Sequence, residues 1–108
     1  MLQKPPSRAA EKAEKKRETE REKRRVYKSV NIRDRYTCRA CGTQPRQWQM
    51  PLHHHEIRFR SAGGTFTTAN VCLLCAKDHA DIHAHRLTVT GDANGVLTFE
   101  RDGKVWTS

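Results

Sequence analysis

Six histidines stand at positions 53, 54, 55, 79, 83 and 85, all inside one 33-residue window, and four cysteines fall as Cys38-x2-Cys41 and Cys72-x2-Cys75. Two thiolates two residues apart can sit on one tight knuckle and share a tetrahedral Zn2+, and a second pair completes four corners. Two imidazoles at positions 79 and 83 share one face if that stretch is helical, so they can chelate one ion. A third imidazole from the run "LHHHEIRFRSAGG" at residues 52–64 closes three corners of a shell and leaves others open, which is what metal-assisted catalysis requires. A redox reading of the Cys-x-x-Cys pairs is weak, because no thioredoxin-like βαβ pattern surrounds either one.

What must position these groups is a short chain with little apolar material. At 108 residues and 35% apolar content, it forms one domain at most and buries only a small core. Three Phe, two Trp and two Tyr do not change that, so a structural metal is the expected reinforcement. No apolar run at the charged N-terminus reads as a signal peptide, which predicts the reducing cytoplasm, where thiols bind metals rather than pair. The same lack of apolar runs predicts no membrane span.

The predicted elements follow from composition. Ser7 is a candidate N-cap for a helix over about 8–33, solvated in its first half. Val26, Val30 and Ile32 begin the packed part. The histidine run reads as a strand that ends near Gly63-Gly64, and "NVCLLC" at 70–75 reads as the returning strand of a hairpin. A short helix over about 76–86 carries His79 and His83. Beyond it, alternating residues around Asn94-Gly95, with a further turn at Asp102-Gly103, predict a small β-hairpin extension of two or three strands.

Charge separates the chain into unequal parts. Residues 1–35 carry thirteen Lys/Arg against six Asp/Glu, whereas residues 36–108 carry eight against six. A net charge of +9 draws the chain to polyanions, and nucleic acid is the partner expected, because the basic arm has no apolar face for a membrane. A protein partner recruited through the arm, and a monomeric or weakly dimeric state, are compatible with the same composition.

The stretch "LHHHEIRFRSAGGTFTTANVCLLCAKDHADIHAHRL", with "RDRYTCRACG" ahead of it, resembles the core of the HNH endonucleases over about residues 33–87. "RSAGG", Asn70, "LLC", His79 and His83 fall at that family's spacings. The resemblance implies an α+β fold: a small ββα-metal (His-Me finger) core with a structural zinc over 34–87. A basic N-terminal helix over 1–33 precedes it and the β-hairpin extension over 88–108 follows. It implies a DNA endonuclease that nicks or cuts both strands; contacts that carry charge but not sequence predict low intrinsic specificity, and a small basic chain of this kind fits a phage, a mobile element or a bacterial host. His79 and His83 then hold the catalytic Mg2+, Mn2+, Ni2+ or Zn2+ with one histidine of the 53–55 run, and Asn70 pins the hairpin loop.

Two departures from the pattern leave alternatives. The family places metal ligand and general base side by side. Its spacing puts them on His55 and Glu56, while chemistry prefers His54 as ligand and His55 as base, because imidazole is the better base near neutral pH. Adjacent strand residues face opposite sides, so both registers cannot hold. His53 is then a solvent-side or supporting residue. At the zinc, the family's fourth cysteine position is Asp78, so either Cys72 joins Cys38, Cys41 and Cys75, the choice made on four cysteines for four corners, or Asp78 coordinates through oxygen. Arg58 and Arg60 of the hairpin, with Arg24, Arg25 and Lys28 of the arm, are the candidate phosphate contacts. The alternative from another class is a zinc-stabilised nucleic-acid-binding module that does not cleave.

Overall fold

The computed structural model describes residues 7–46 and 51–108, with the side chain of Arg60 outside the described residues. Its elements run α1 (Arg8–Arg33), β1 (His53–Glu56), β2 (Val71–Leu74), α2 (Ala76–His83), β3 (Thr88–Gly91), β4 (Leu97–Arg101) and β5 (Lys104–Thr107), with short 3-10 turns at Arg60–Ala62 and Thr68–Asn70. This is a small α+β fold with two separate antiparallel sheets, β1-β2 and β3-β4-β5.

Helix α1 starts where its cap predicts: the Ser7 Oγ accepts from the Ala10 N–H at 3.2 Å. Its first four turns are exposed and carry surface ion pairs from Glu14 to Arg17 (2.9 Å) and Arg21 (3.3 Å), each of small stabilising effect. Only its last turns pack: Val30 is fully buried against Val71 and Leu73, with Val26 and Tyr27 beside it. The helix therefore stands out from the body, and the molecule extends 67 × 33 × 24 Å. No helix among the described residues is long and apolar enough to cross a membrane.

Helix α1 is tied to the rest through Asp34, whose side chain is 1% exposed. Its carboxylate accepts from Arg33 (2.8 and 3.0 Å), from Arg39 (2.9 Å) and from the Leu73 N–H (3.0 Å). Arg33 also donates to the Thr68 and Val71 carbonyls, and Arg39 to the Ala93, Gly95 and Ser108 carbonyls. A buried carboxylate with so many charge-assisted partners is favourable only because every lone pair is met.

Strand β2 is buried on both faces. Val71 and Leu73 face α1, while Cys72 and Leu74 face a second cluster with Cys38, Ala40, Leu87, Ala93, Leu97 and Phe99. This second cluster draws on both the knuckle and residues 87–99, so the C-terminal strands share the core with the knuckle and β2. Those strands form a three-stranded sheet rather than a bare hairpin. Its tight turn is Asp102-Gly103, with both residues at positive φ (50° and 79°), the geometry a two-residue turn between twisted strands demands. The other turn signal, Asn94-Gly95, lies instead in a longer loop, where the Asp92 side chain accepts from the Asn94 N–H.

Candidate metal centres

The β1-β2 register is His53↔Leu74, His54↔Leu73, His55↔Cys72 and Glu56↔Val71. Successive strand side chains face opposite sides, so the histidine run divides. His53 and His55 face α2, and His54 faces α1. His54 stacks on Tyr27 (centroids 3.9 Å apart, planes 14°) and its Nε2 lies 2.7 Å from the Asn31 Oδ1. Burial lowers its pKa. The His54-ligand register is thereby corrected: the ring is committed to α1, on the wrong side of the ribbon. Glu56 follows His55 and lies on the side of His54.

The imidazoles that do meet are His55 from β1 with His79 and His83 from α2, whose ligand atoms all lie within 4.8 Å of one another. Helix α2 supplies the last two one turn apart, with Nε2 atoms 3.1 Å from each other. That separation suits two nitrogens bound to one ion at about 2.0–2.1 Å each. His55 is 2% exposed, whereas His83 is exposed, so the group opens to solvent on one side. The Nδ1 of His53 lies 2.7 Å from the Nδ1 of His79. With an ion on the His79 Nε2, the Nδ1–H of that ring donates to His53, which fixes both tautomer and orientation.

Burial, then the charges of His79 and His83, push the His55 pKa down to about 4 in the metal-free chain. An unfolded histidine titrates near 6.5, so between these values the unfolded chain binds more protons. Stability from this group is full above pH ~6.5 and drains away as pH falls toward about 4, by at most about 3 kcal/mol. The melting temperature of the wild type is therefore expected to fall more steeply from pH 6.5 to 4.5 than that of His55→Gln. Equal slopes would show that His55 is not held neutral.

Asn70 occupies the loop between the strands as its position predicts. Its Oδ1 accepts from the Arg58 N–H (2.8 Å), and its Nδ2 donates to the Arg58 and Thr65 carbonyls (2.8 and 2.9 Å). Gly64 closes the same loop, where a Cβ would sit 1.8 Å from the Arg58 carbonyl oxygen, so no other residue fits. Arg58 is exposed but spends its Nε on the Ala62 carbonyl (2.7 Å). Arg24, Arg25 and Lys28 are exposed along α1.

A second group gathers Cys38 and Cys41 from the knuckle with Cys75 and Asp78 from the start of α2. The Cys41 and Cys75 sulfurs are 3.9 Å apart, and the Asp78 Oδ2 lies 3.3 Å from Cys38 and 3.2 Å from Cys75. A zinc tetrahedron with Zn–S of ~2.3 Å has S···S edges of roughly 3.8 Å, so the four donors fit such an ion. None of the four cysteines forms a disulfide. Burial pushes the Cys38 and Cys75 thiols up, so a dication is the natural means of keeping thiolates there.

The structure corrects the choice of Cys72 for this group. Cys72 precedes Cys75 by three residues of extended chain, about 10 Å at ~3.3 Å per residue. It lies fully buried in the apolar core, its thiol pushed up to about 12, chiefly by burial. Asp78 instead follows Cys75 by one helical turn. Cys75 caps that turn, its sulfur 3.4 Å from the Asp78 N–H.

Asp78 brings a partner that sequence reasoning missed. Its Oδ2 faces the sulfurs, while its Oδ1 accepts from Arg101 of β4 at 2.7 Å. Arg101 also reaches Asp81 (3.0 Å) and lies 5.9 Å from the centre of the Trp106 ring. Burial alone would raise the Asp78 carboxyl, but Arg101 and the surrounding thiols outweigh it and hold the group below the usual carboxylate range. Arg101→Ala is expected to weaken zinc retention by roughly 10- to 100-fold, with Arg101→Lys intermediate, as read by competition with a chromogenic chelator. Unchanged retention would show that the carboxylate needs no such support. Nothing local marks Arg101 in the sequence, since it lies 23 residues from Asp78.

Scanned against protein-family models, curated proteins and solved structures, the chain gives no match.

Proposed function

We propose that the chain is a metal-dependent DNA endonuclease of the HNH kind, in which Cys38, Cys41, Cys75 and Asp78 hold a structural zinc and His55, His79 and His83 hold the catalytic ion. The observation that carries this reading is the convergence of three imidazoles from a ribbon and a helix, open to solvent on the side of exposed His83. A purely structural site would be closed by a fourth protein ligand.

A divalent ion bound there supplies Lewis-acid stabilisation to the charge that develops on a phosphate oxygen. The chain's own residues do the rest. Buried His55 fixes the ribbon side of the site, and His53 orients the His79 ring through its Nδ1. Asn70 holds the loop after β1 rigid by three hydrogen bonds, so the strand end and Glu56 keep one position. Neither His54, engaged with α1, nor Glu56, on the same side of the ribbon, faces the imidazole group, so neither carries the role of general base in this reading. The exposed cations of α1 and of the loop attract the phosphate backbone without reading its bases, which makes binding salt-dependent and weakly sequence-selective.

The test is incubation of supercoiled plasmid with the zinc-loaded protein and Mg2+, Mn2+ or Ni2+. Conversion to open circles or linear DNA that stops on chelation of the added ion is expected. DNA binding without conversion under any of the three ions would leave the non-cleaving module as the correct reading.

A further inference from the structure

Beside the imidazole group lies a cavity of about 390 Å3, within the range of roughly 300–1,000 Å3 common for small-molecule sites. Ile57, Phe59, Ile82, Leu87 and Val89 supply its apolar walls, and His55 and His83 border it. Phe59 is 48% exposed. Its ring stands near-parallel to the His83 ring, with planes 14° and centroids 6.1 Å apart, and edge-on to His55, also at 6.1 Å. His85, held at a left-handed φ of 60° just past α2, adds an exposed imidazole at the rim that belongs to neither metal group.

We propose that this cavity is the subsite for the nucleoside adjoining the cleaved phosphate, and that it takes this nucleoside from an unpaired strand. The inference rests on the endonuclease reading. A phosphate that reaches the His55 and His83 side of the site carries a sugar on each flank, and the walls nearest it are hydrocarbon. They suit the C–H face of a deoxyribose and the flat face of a base, and they offer little to water or to a second phosphate. Within a duplex both faces of a base are already stacked on neighbours, so the ring of half-exposed Phe59 can receive one only from a single strand or a locally opened site. His85 at the rim places a hydrogen-bonding group where the edge of that base would emerge. The cations of α1 act on either kind of DNA, so the preference for an unpaired strand resides in this pocket.

The decisive measurement compares wild type, Phe59→Ala and Phe59→Tyr as zinc-loaded full chains. Fluorescence anisotropy of a short labelled single-stranded oligonucleotide and of its matching duplex reports binding, and cleavage rates are measured with Mn2+. Because Phe59 is half-exposed and belongs to neither core cluster, Phe59→Ala is expected to keep nearly the wild-type melting temperature. It is expected to bind the single strand about 5- to 100-fold more weakly, with duplex binding changed less than about twofold. Phe59→Tyr, which keeps the ring, is expected to bind as wild type does. An abasic position next to the cut is expected to reproduce the alanine defect in the wild-type enzyme. Single-strand binding unaffected by Phe59→Ala, or single-strand and duplex binding weakened alike, would overturn the subsite while leaving the nuclease standing. A wild-type protein that cuts no DNA of either kind removes the endonuclease reading and the subsite with it.

Discussion

His79→Ala is expected to nick supercoiled DNA about 10²- to 10³-fold more slowly than the wild type, with zinc content and melting temperature nearly unchanged. The size of the effect follows from the placement of His79. It is the middle member of the imidazole group, within hydrogen-bonding distance of both His83 (3.1 Å) and His53 (2.7 Å). Its removal deletes a ligand and also leaves His53 with nothing to orient. The zinc group is separate, so the fold is expected to survive. The same assay decides the role of the ribbon residues. Glu56→Gln is expected to stay active, since Glu56 lies on the side of the ribbon away from the imidazoles. His54→Ala is expected to stay active but to melt earlier, because it loses the stack on Tyr27 and the bond to Asn31. Near-wild-type nicking by His79→Ala would sink the assignment of the catalytic ion.

Removal of zinc is expected to have the largest effect on stability. Among the described residues eleven apolar side chains are buried, and Phe99 is the sole aromatic ring among them. A core of that size leaves little margin. Structural zinc in small peptide domains is worth roughly 10–16 kcal/mol of apparent binding free energy, against net stabilities of about 5–15 kcal/mol for whole domains. Cys38→Ser, or stripping the metal with a strong chelator, is therefore expected to abolish the cooperative thermal transition followed by near-ultraviolet circular dichroism. Much of the helical signal of α1 is lost as well, since its packing turns rest on β2. A metal-free protein that melts cooperatively at the wild-type temperature would show that these four donors are not a structural site.

The local features of the chain were legible because they depend on neighbours in sequence. The Ser7 cap, the two strands around the glycine loop, the i,i+4 pair on α2 and the Asp-Gly turn each follow from a few adjacent residues. The alternation of β1 was legible too, but not its phase. Which of His54 and His55 faces the helix is set by the pairing of β1 with β2 and by Tyr27 and Asn31 of α1, partners at least 17 positions away. The zinc quartet failed for a related reason. A count of four cysteines ignores that a strand separates Cys72 from Cys75 whereas a helical turn folds Asp78 back beside it. Arg33, Arg39 and Arg101 entered the sequence reading only as net positive charge, yet all three are spent on internal bonds, two of them to Asp34.

The Asp34 hub makes disassembly an all-or-none event. One carboxylate anchors the end of α1, the knuckle arginine and the middle of β2 at once, and that arginine in turn grips the carbonyls of the C-terminal loops. Neither the arm nor the last twenty residues behaves as a detachable accessory: excising the arm through Arg33 removes a partner of the buried Asp34 carboxylate, and excising the last twenty residues removes the carbonyls that hold Arg39 against it. For anyone trimming this protein to a minimal folded unit, the permissible cuts lie in the outer turns of α1.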